Sequence, residues 1–161
     1  MDLTKIKPIK DEPFPFGPIQ TEWLEALESG QWKQCQKFLR EPGKPEKAYC
    51  CLGVLCELLG LSWHDGHADN NHTDAGFTYK SPDPRDGFVS ATFNGYLPTS
   101  FGPTVGLRDA YGGLKKSVET GSPEKPSVWS LADMNDELNL TFEEIAAYIR
   151  HDPWNVFSRS A

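Results

Sequence analysis

The chain has 161 residues, of which 38% are hydrophobic and 24% charged, enough for the core of one domain and too apolar for global disorder. Its 23 acidic and 16 basic side chains give a net charge of −7, without the basic face that tracks nucleic-acid phosphates. The longest uncharged apolar run, Ala48 to Cys56, has 9 residues, whereas a membrane-spanning helix needs ~20; neither nucleic acid nor membrane is an expected partner.

Residues 1–20 carry Pro8, Pro13, Pro15 and Pro18 with Gly17 among them. Proline blocks helices and ladders, so this segment reads as an extended arm. Phe14 and Phe16 on it are docking groups for the arm's own domain or for a second copy, which makes homo-oligomerisation through the arm an open expectation. The opening Met1-Asp2-Leu3-Thr4-Lys5 leads into prolines rather than an apolar segment, so no secretory leader is expected.

Thr21 is placed to N-cap a helix, with Glu22 and Glu25 near its positive end. Trp23, Leu24 and Leu27 form its apolar side, and Gly30 is a C′ stop. Gln31 to Arg40 fits helix or strand equally. Residues 41–46, Glu-Pro-Gly-Lys-Pro-Glu, are a turn by composition. The nearby Lys33, Lys37, Arg40, Lys44 and Lys47 are interrupted by Glu41 and Glu46 and read as a solvated hairpin.

Ala48 to Leu59 is the most apolar stretch. Leu52, Leu55, Cys56 and Leu59 recur at helical spacing, Val54 and Leu58 fill the other side, and only Glu57 is charged. Such a helix is buried. Gly53 costs ~1 kcal/mol in a helix interior relative to alanine, and a close approach by another backbone would explain its presence. Gly60 ends the helix.

Residues 61–113 are rich in Gly, Pro, Asn and Asp. Phe77-Thr78-Tyr79 and Phe88 to Phe93 are the best strand candidates, and Asn94-Gly95 is a turn signal. Tyr96-Leu97-Pro98 leads into Val105-Gly106-Leu107. Lys115 to Thr120 is a further strand, followed by a surface loop from Gly121 to Pro126.

Ser130 caps a helix, with Asp133 at N3 and Trp129 placed to staple onto Met134. Thr141 and Glu144 form a capping box, with Leu140 and Ile145 as the staple. Phe142, Ile145, Ala146 and Ile149 form a buried stripe, and Pro153 stops the helix. The expected fold is one α+β domain. A small, mostly antiparallel sheet drawn from residues 32–120 is packed by the buried central helix and a C-terminal helix pair. Its boundaries are an arm at 1–20, the domain at 21–152 and a tail at 153–161.

The four cysteines are Cys35, Cys50, Cys51 and Cys56. Adjacent cysteines do not readily bridge each other, and Cys51 and Cys56 point to different sides of a helix, so a reducing cytoplasm is expected. Cys50 or Cys51 at the start of the buried helix, with His72 or another histidine as base, is the arrangement a thiol nucleophile requires. Burial as a small hydrophobe is the stronger reading. The spacings C-x14-C-C-x4-C and H-x2-H-x4-H contain no C-x2-C pair, so no metal is expected. The polar loop 64–74 fails the calcium-loop pattern, since Asn70 and Gly76 stand where Gly and Glu belong. With no phosphate loop or dinucleotide fingerprint present, no cofactor is expected. Asn135-Asp136 near a helix end serves local backbone groups or contacts a ligand.

Two blocks together carry a resemblance. The first runs from Trp23 through Ala26-Leu27, Ser29-Gly30, Trp32 and Gln34 to Cys50-Cys51-Leu52-Gly53-Val54-Leu55-Cys56. The second runs from Leu131 through Asn135-Asp136 to Thr141-Phe142 and Ile145-Ala146. They are similar to a family of small uncharacterised proteins of tailed bacteriophages and prophages. Leu97-Pro98 and Val105-Gly106-Leu107 resemble its middle element. The likeness covers about residues 21–60 and 96–150. The similar proteins often carry glycines after the Gln, where this chain has Cys35 and Lys37.

The resemblance implies a phage accessory protein rather than a catalyst, acting in the cytoplasm of an infected bacterial host. It would bind a host protein, another copy of itself, or a small signal molecule of host defence. Trp32, Gln34, Arg40, Asn135 and Asp136 are the expected contact residues. The alternatives are a cysteine hydrolase using Cys50 or Cys51, and a minor virion component.

Overall fold

The computed structural model describes the chain except residues 43, 65–67, 70–71, 74–75, 81–84, 86–87, 93–95 and 100; at 64, 68–69, 72–73, 76–77, 79–80 and 88–92 it describes the backbone alone. The expected Asn94-Gly95 turn and most of the 64–74 loop lie outside the described residues.

The first helix, α1, spans Pro18–Glu28. It starts three residues before the expected Thr21 cap, because Pro18 presets the helical φ at N1 and Gln20 reaches back to accept from the Gly17 N–H at 3.0 Å. The amide of Gln20 also donates to Val105 O and Arg159 O. This fully bonded, buried side chain ties the helix start to the C-terminus. Trp23, Leu24 and Leu27 face inward as expected, and Gly30 has φ +67°.

The chain from Gln31 to Arg40 is neither helix nor strand. It wraps around Tyr49 and Cys50 through Tyr49 N–H to Lys33 O, Cys35 N–H to Tyr49 O and Cys50 N–H to Leu39 O. This wrapping places Leu39 against α2, Cys51–Leu58, whose residues from Cys51 to Cys56 are all buried. A Cβ on Gly53 would lie 1.6 Å from the Leu39 carbonyl oxygen, which is the close backbone approach the sequence called for.

Among the described residues the strands divide among three antiparallel sheets rather than one. β1 (Ser62–His64), β4 (Gly76–Lys80) and β5 (Phe88–Thr92) form a meander, and β2 (Ala68–Asp69) pairs β3 (His72–Thr73). After the short α3 (Phe101–Thr104), β6 (Gly113–Glu119) pairs β7 (Ser127–Ser130) across an irregularity between Gly113 and Val118. The architecture is α+β in a single domain, as the sequence indicated.

α4 (Leu131–Asp136) and α5 (Phe142–His151) are capped as the sequence dictates. Ser130 Oγ accepts from Asp133 N–H at 3.0 Å. Thr141 Oγ1 accepts from Glu144 N–H at 3.2 Å, and Glu144 Oε2 accepts from Thr141 N–H at 2.9 Å. The Trp129–Met134 staple does not form. Trp129 is 62% exposed while Met134 is buried, because the pleat of β7 turns Val128 and Ser130 inward and Trp129 out. Thr141→Ala is expected to cost ~1 kcal/mol and to lower the melting temperature by about 2–4 °C. An unchanged melting curve would mean that the cap contributes nothing.

The first half of the segment expected as a tail packs into the core. Pro153 ends α5 and at once begins α6, Pro153–Val156, after which Phe157 is 1% exposed. The arm packs on this segment of its own chain. Phe14 lies 4.8 Å edge-on from Trp154 and 5.4 Å from Phe157, ring centre to ring centre, and Lys10 Nζ sits 3.8 Å over the Trp154 ring. The arm phenylalanines are therefore engaged within the chain. No helix of the described residues is long and apolar enough to cross a membrane.

Candidate functional site

Of the expected contact residues, Arg40 and Asn135 lie in the interior, while Trp32, Gln34 and Asp136 are half-buried. Asn135 is fully buried and Arg40 nearly so. Asn135 Oδ1 accepts from Gln34 Nε2 at 2.9 Å and from Cys51 N–H at 3.3 Å, while Nδ2 donates to Cys35 O at 2.9 Å and Asp136 Oδ1 at 2.7 Å. Gln34 also donates to Leu140 O at 2.8 Å. Cys50, the N-cap of α2, makes no side-chain cap bond. Asn135 thus supplies the missing acceptor from another helix. A helix start leaves four N–H groups without intrahelical partners, and this one is served across 84 residues of sequence.

Asp136 completes the fastening. Its Oδ1 accepts from Lys37 N–H at 2.9 Å, and Lys37 has φ +68°, the left-handed region that favours glycine. Asp136 holds the backbone that the lysine side chain disfavours. Trp32 lies 5.3 Å edge-on from Tyr49, and Arg40 stacks 5.1 Å over Trp63. Tyr49 Oη donates to Glu57 Oε2 at 3.2 Å, and Trp63 Nε1 donates to the same oxygen. These five residues, expected to meet a partner, are engaged with the loop–helix junction of their own chain. The bonds of Gln34, Asn135 and Asp136 to Leu140, Cys35, Cys51 and Lys37 are long-range in sequence, so this engagement could not be read from the chain.

The thiols are sealed. All four are free and buried. Desolvation pushes Cys35 and Cys50 up to about 12 and raises Cys51 and Cys56 well above the ordinary thiol value of 9.0. At Cys50 the N–H groups of Gly53 and Leu52 pull the other way and lose to burial. His151 Nε2 is 2.7 Å from Ile6 O on the arm. The backbone of His72 pairs with Asp69, and its side chain lies outside the described residues. Among the described residues no three His, Cys, Asp or Glu side chains group as a metal site would require.

Iodoacetamide is expected to label no cysteine of the folded chain and all four after denaturation. Labelling of Cys50 or Cys51 in the folded state would overturn their burial. The raised values also set a pH dependence. Below pH ~9 both states hold the protons and the stabilisation is complete. From about 9 toward 12 the unfolded state alone releases them, and stability falls. A denaturation midpoint level from pH 9 to about 11 would contradict this.

The open site lies elsewhere. A cleft of about 400 Å³ runs between the arm (Asp2 to Ile9), β6 and its exit (Lys116 to Gly121), and the α5–α6 junction. Its lining includes two side chains each 2% exposed, Asp152 and Asn155. Asp152 Oδ1 accepts from Ile9 N–H at 2.9 Å, which latches the arm. Burial raises the Asp152 carboxyl above its usual range, against the pull of that N–H. Asn155 bonds both backbone groups of Lys116, through Oδ1 at 2.7 Å and Nδ2 at 3.0 Å, and also donates to Tyr148 Oη at 2.8 Å. A side-chain amide here stands in for a neighbouring strand. The sequence signal for this site was faint: polar residues flanking Pro153, and the Lys5-Ile6-Lys7 alternation in an arm taken as a docking strap.

The size of the cleft falls within the ~300–1,000 Å³ of small-molecule sites. No curated protein and no solved structure matches the chain. The family described as "Domain of unknown function (DUF8296)" matches residues 17–152, a span that holds α1 to α5 together with the Asn135 fastening and ends at Asp152. With more than half its length so matched, the chain belongs to the DUF8296 family.

Proposed function

We propose that this chain is a non-catalytic accessory protein of a tailed bacteriophage, that it acts in the cytoplasm of the infected host, and that it works by holding a small molecule in the arm cleft. The phage assignment is supported by the paired sequence blocks alone. The binding reading is carried by one observation: a roofed cleft of about 400 Å³ with a buried carboxylate in its lining. The non-catalytic part is supported by the burial of the thiols, the nucleophiles that the sequence offers.

Native mass spectrometry of the full chain, incubated with a small-molecule extract of bacterial cells, tests the binding. The expected result is a small noncovalent adduct that disappears in Ser117→Trp, whose indole would fill the cleft. A bare chain throughout, or an adduct equally abundant in Ser117→Trp with its fold intact, would sink the proposal.

A further inference from the structure

The cleft presents a buried acceptor and exposed cations to the same space. The Asp152 carboxylate accepts from the Ile9 N–H and is also held by the Asn155 N–H; with about four lone-pair sites it retains part of its capacity toward a guest. The amide of Asn155 is committed to Lys116 and Tyr148. Lys5, Lys7 and Lys116 also line the cleft. Lys5 is paired with Asp2 at 3.4 Å. Lys7 and Lys116 have no ion-pair partner among the described residues. Ile6, Ile9 and Val118 add apolar wall.

These groups constrain a guest from two sides. An anion without a donor, such as sulfate, would meet the Asp152 carboxylate with nothing to donate to it, and inorganic phosphate would leave the apolar wall empty. A simple amine would meet the lysines. A guest that carries an anion and an N–H or O–H donor on a flat apolar body satisfies both.

We propose that the arm cleft binds a nucleoside monophosphate, with the phosphate on Lys7 and Lys116, a base or ribose donor on Asp152, and the base against Ile6, Ile9 and Val118. The arm then acts as the roof of the site, since Lys7, Ile6 and Ile9 all belong to it. This assignment rests on the binding reading above and narrows it to a ligand class.

Isothermal titration of the full chain with guanosine and adenosine 5′-monophosphates tests it, with inorganic phosphate and a free amino-acid mixture as comparators. At least one nucleotide is expected to bind, more tightly than either comparator, and to weaken as salt screens the lysines. Asp152→Asn keeps an oxygen for the Ile9 N–H but turns a donor toward the guest, and should weaken binding about tenfold or more. The exposed double variant Lys7→Gln, Lys116→Gln should lose most of the salt dependence. No heat with either nucleotide, tighter binding of a comparator, or unchanged affinity in a folded Asp152→Asn chain would overturn the assignment. An adduct from the cell extract alongside silent nucleotides would sink this ligand class alone. A bare chain in both experiments would sink the binding reading as well.

Discussion

Gly53→Ala is expected to destabilise the chain by about 3 kcal/mol or more, at or beyond the upper end of ordinary overpacking. The size comes from what the methyl group meets. A Cβ would stand 1.6 Å from Leu39 O and 2.6 Å from Leu39 C, and both are backbone atoms with no rotamer to change. Leu39 itself is held by the Cys50 N–H at 3.2 Å. Helix propensity works the other way, since alanine is favoured over glycine by ~1 kcal/mol in a helix interior, and steric exclusion is expected to win. Gly53→Val should be worse. Gly30 supplies the control. It has φ +67° with nothing within 4 Å of an added Cβ, so Gly30→Ala costs only the ~1–2 kcal/mol of a left-handed residue with a side chain. Urea denaturation of the two alanine variants measures the difference. Equal losses would mean that the Leu39 contact is soft.

Asn135→Ala is expected to cost about 4 kcal/mol, as groups left without partners lose roughly 1–3 kcal/mol each. The Cys51 N–H at the start of α2 loses its acceptor, Cys35 O loses its donor, and Gln34 keeps only Leu140 O. That is a large fraction of the ~5–15 kcal/mol that holds a domain folded. Asn135→Asp keeps the acceptor but sets a second carboxylate against Asp136 Oδ1, now 2.7 Å from Nδ2. It should therefore lose stability as pH rises through the carboxylate range, whereas Asn135→Ala should not. A melting temperature within a degree or two of the parent for Asn135→Ala would show that the network is not a fastener. It would return Asn135 and Gln34 to candidacy as contact residues.

Both positions illustrate how far local pattern reaches. Ser130, Thr141 and Glu144 were legible because a cap involves residues three apart, and chemistry at that spacing is written in the chain. The buried helix at Cys51–Leu58 was legible because it is apolar on all sides, and Gly53 because a glycine in such a helix demands a neighbour. The start of α1 was missed because Gln20, rather than a cap residue of the usual type, takes the Gly17 N–H. The polar residues Gln34, Asn135 and Asp136 looked exposed because polar side chains usually are. Asn135 is buried and the other two half-buried because each meets a backbone group far away in the chain.

The sequence by itself determined the α+β class, the caps of α4 and α5, the inward face of each main helix and the burial of the cysteines, since each follows from composition or from spacing within one or two turns. Only the tertiary structure decided that the chain from Pro153 to Phe157 joins the core, that the arm folds onto Trp154 and Phe157, and that Asp152 and Lys116 share a cleft. Those outcomes depend on which distant surfaces meet. Apolar burial drives the collapse without direction, and the partner of each surface is set by shape and by hydrogen bonds that no short stretch of chain contains.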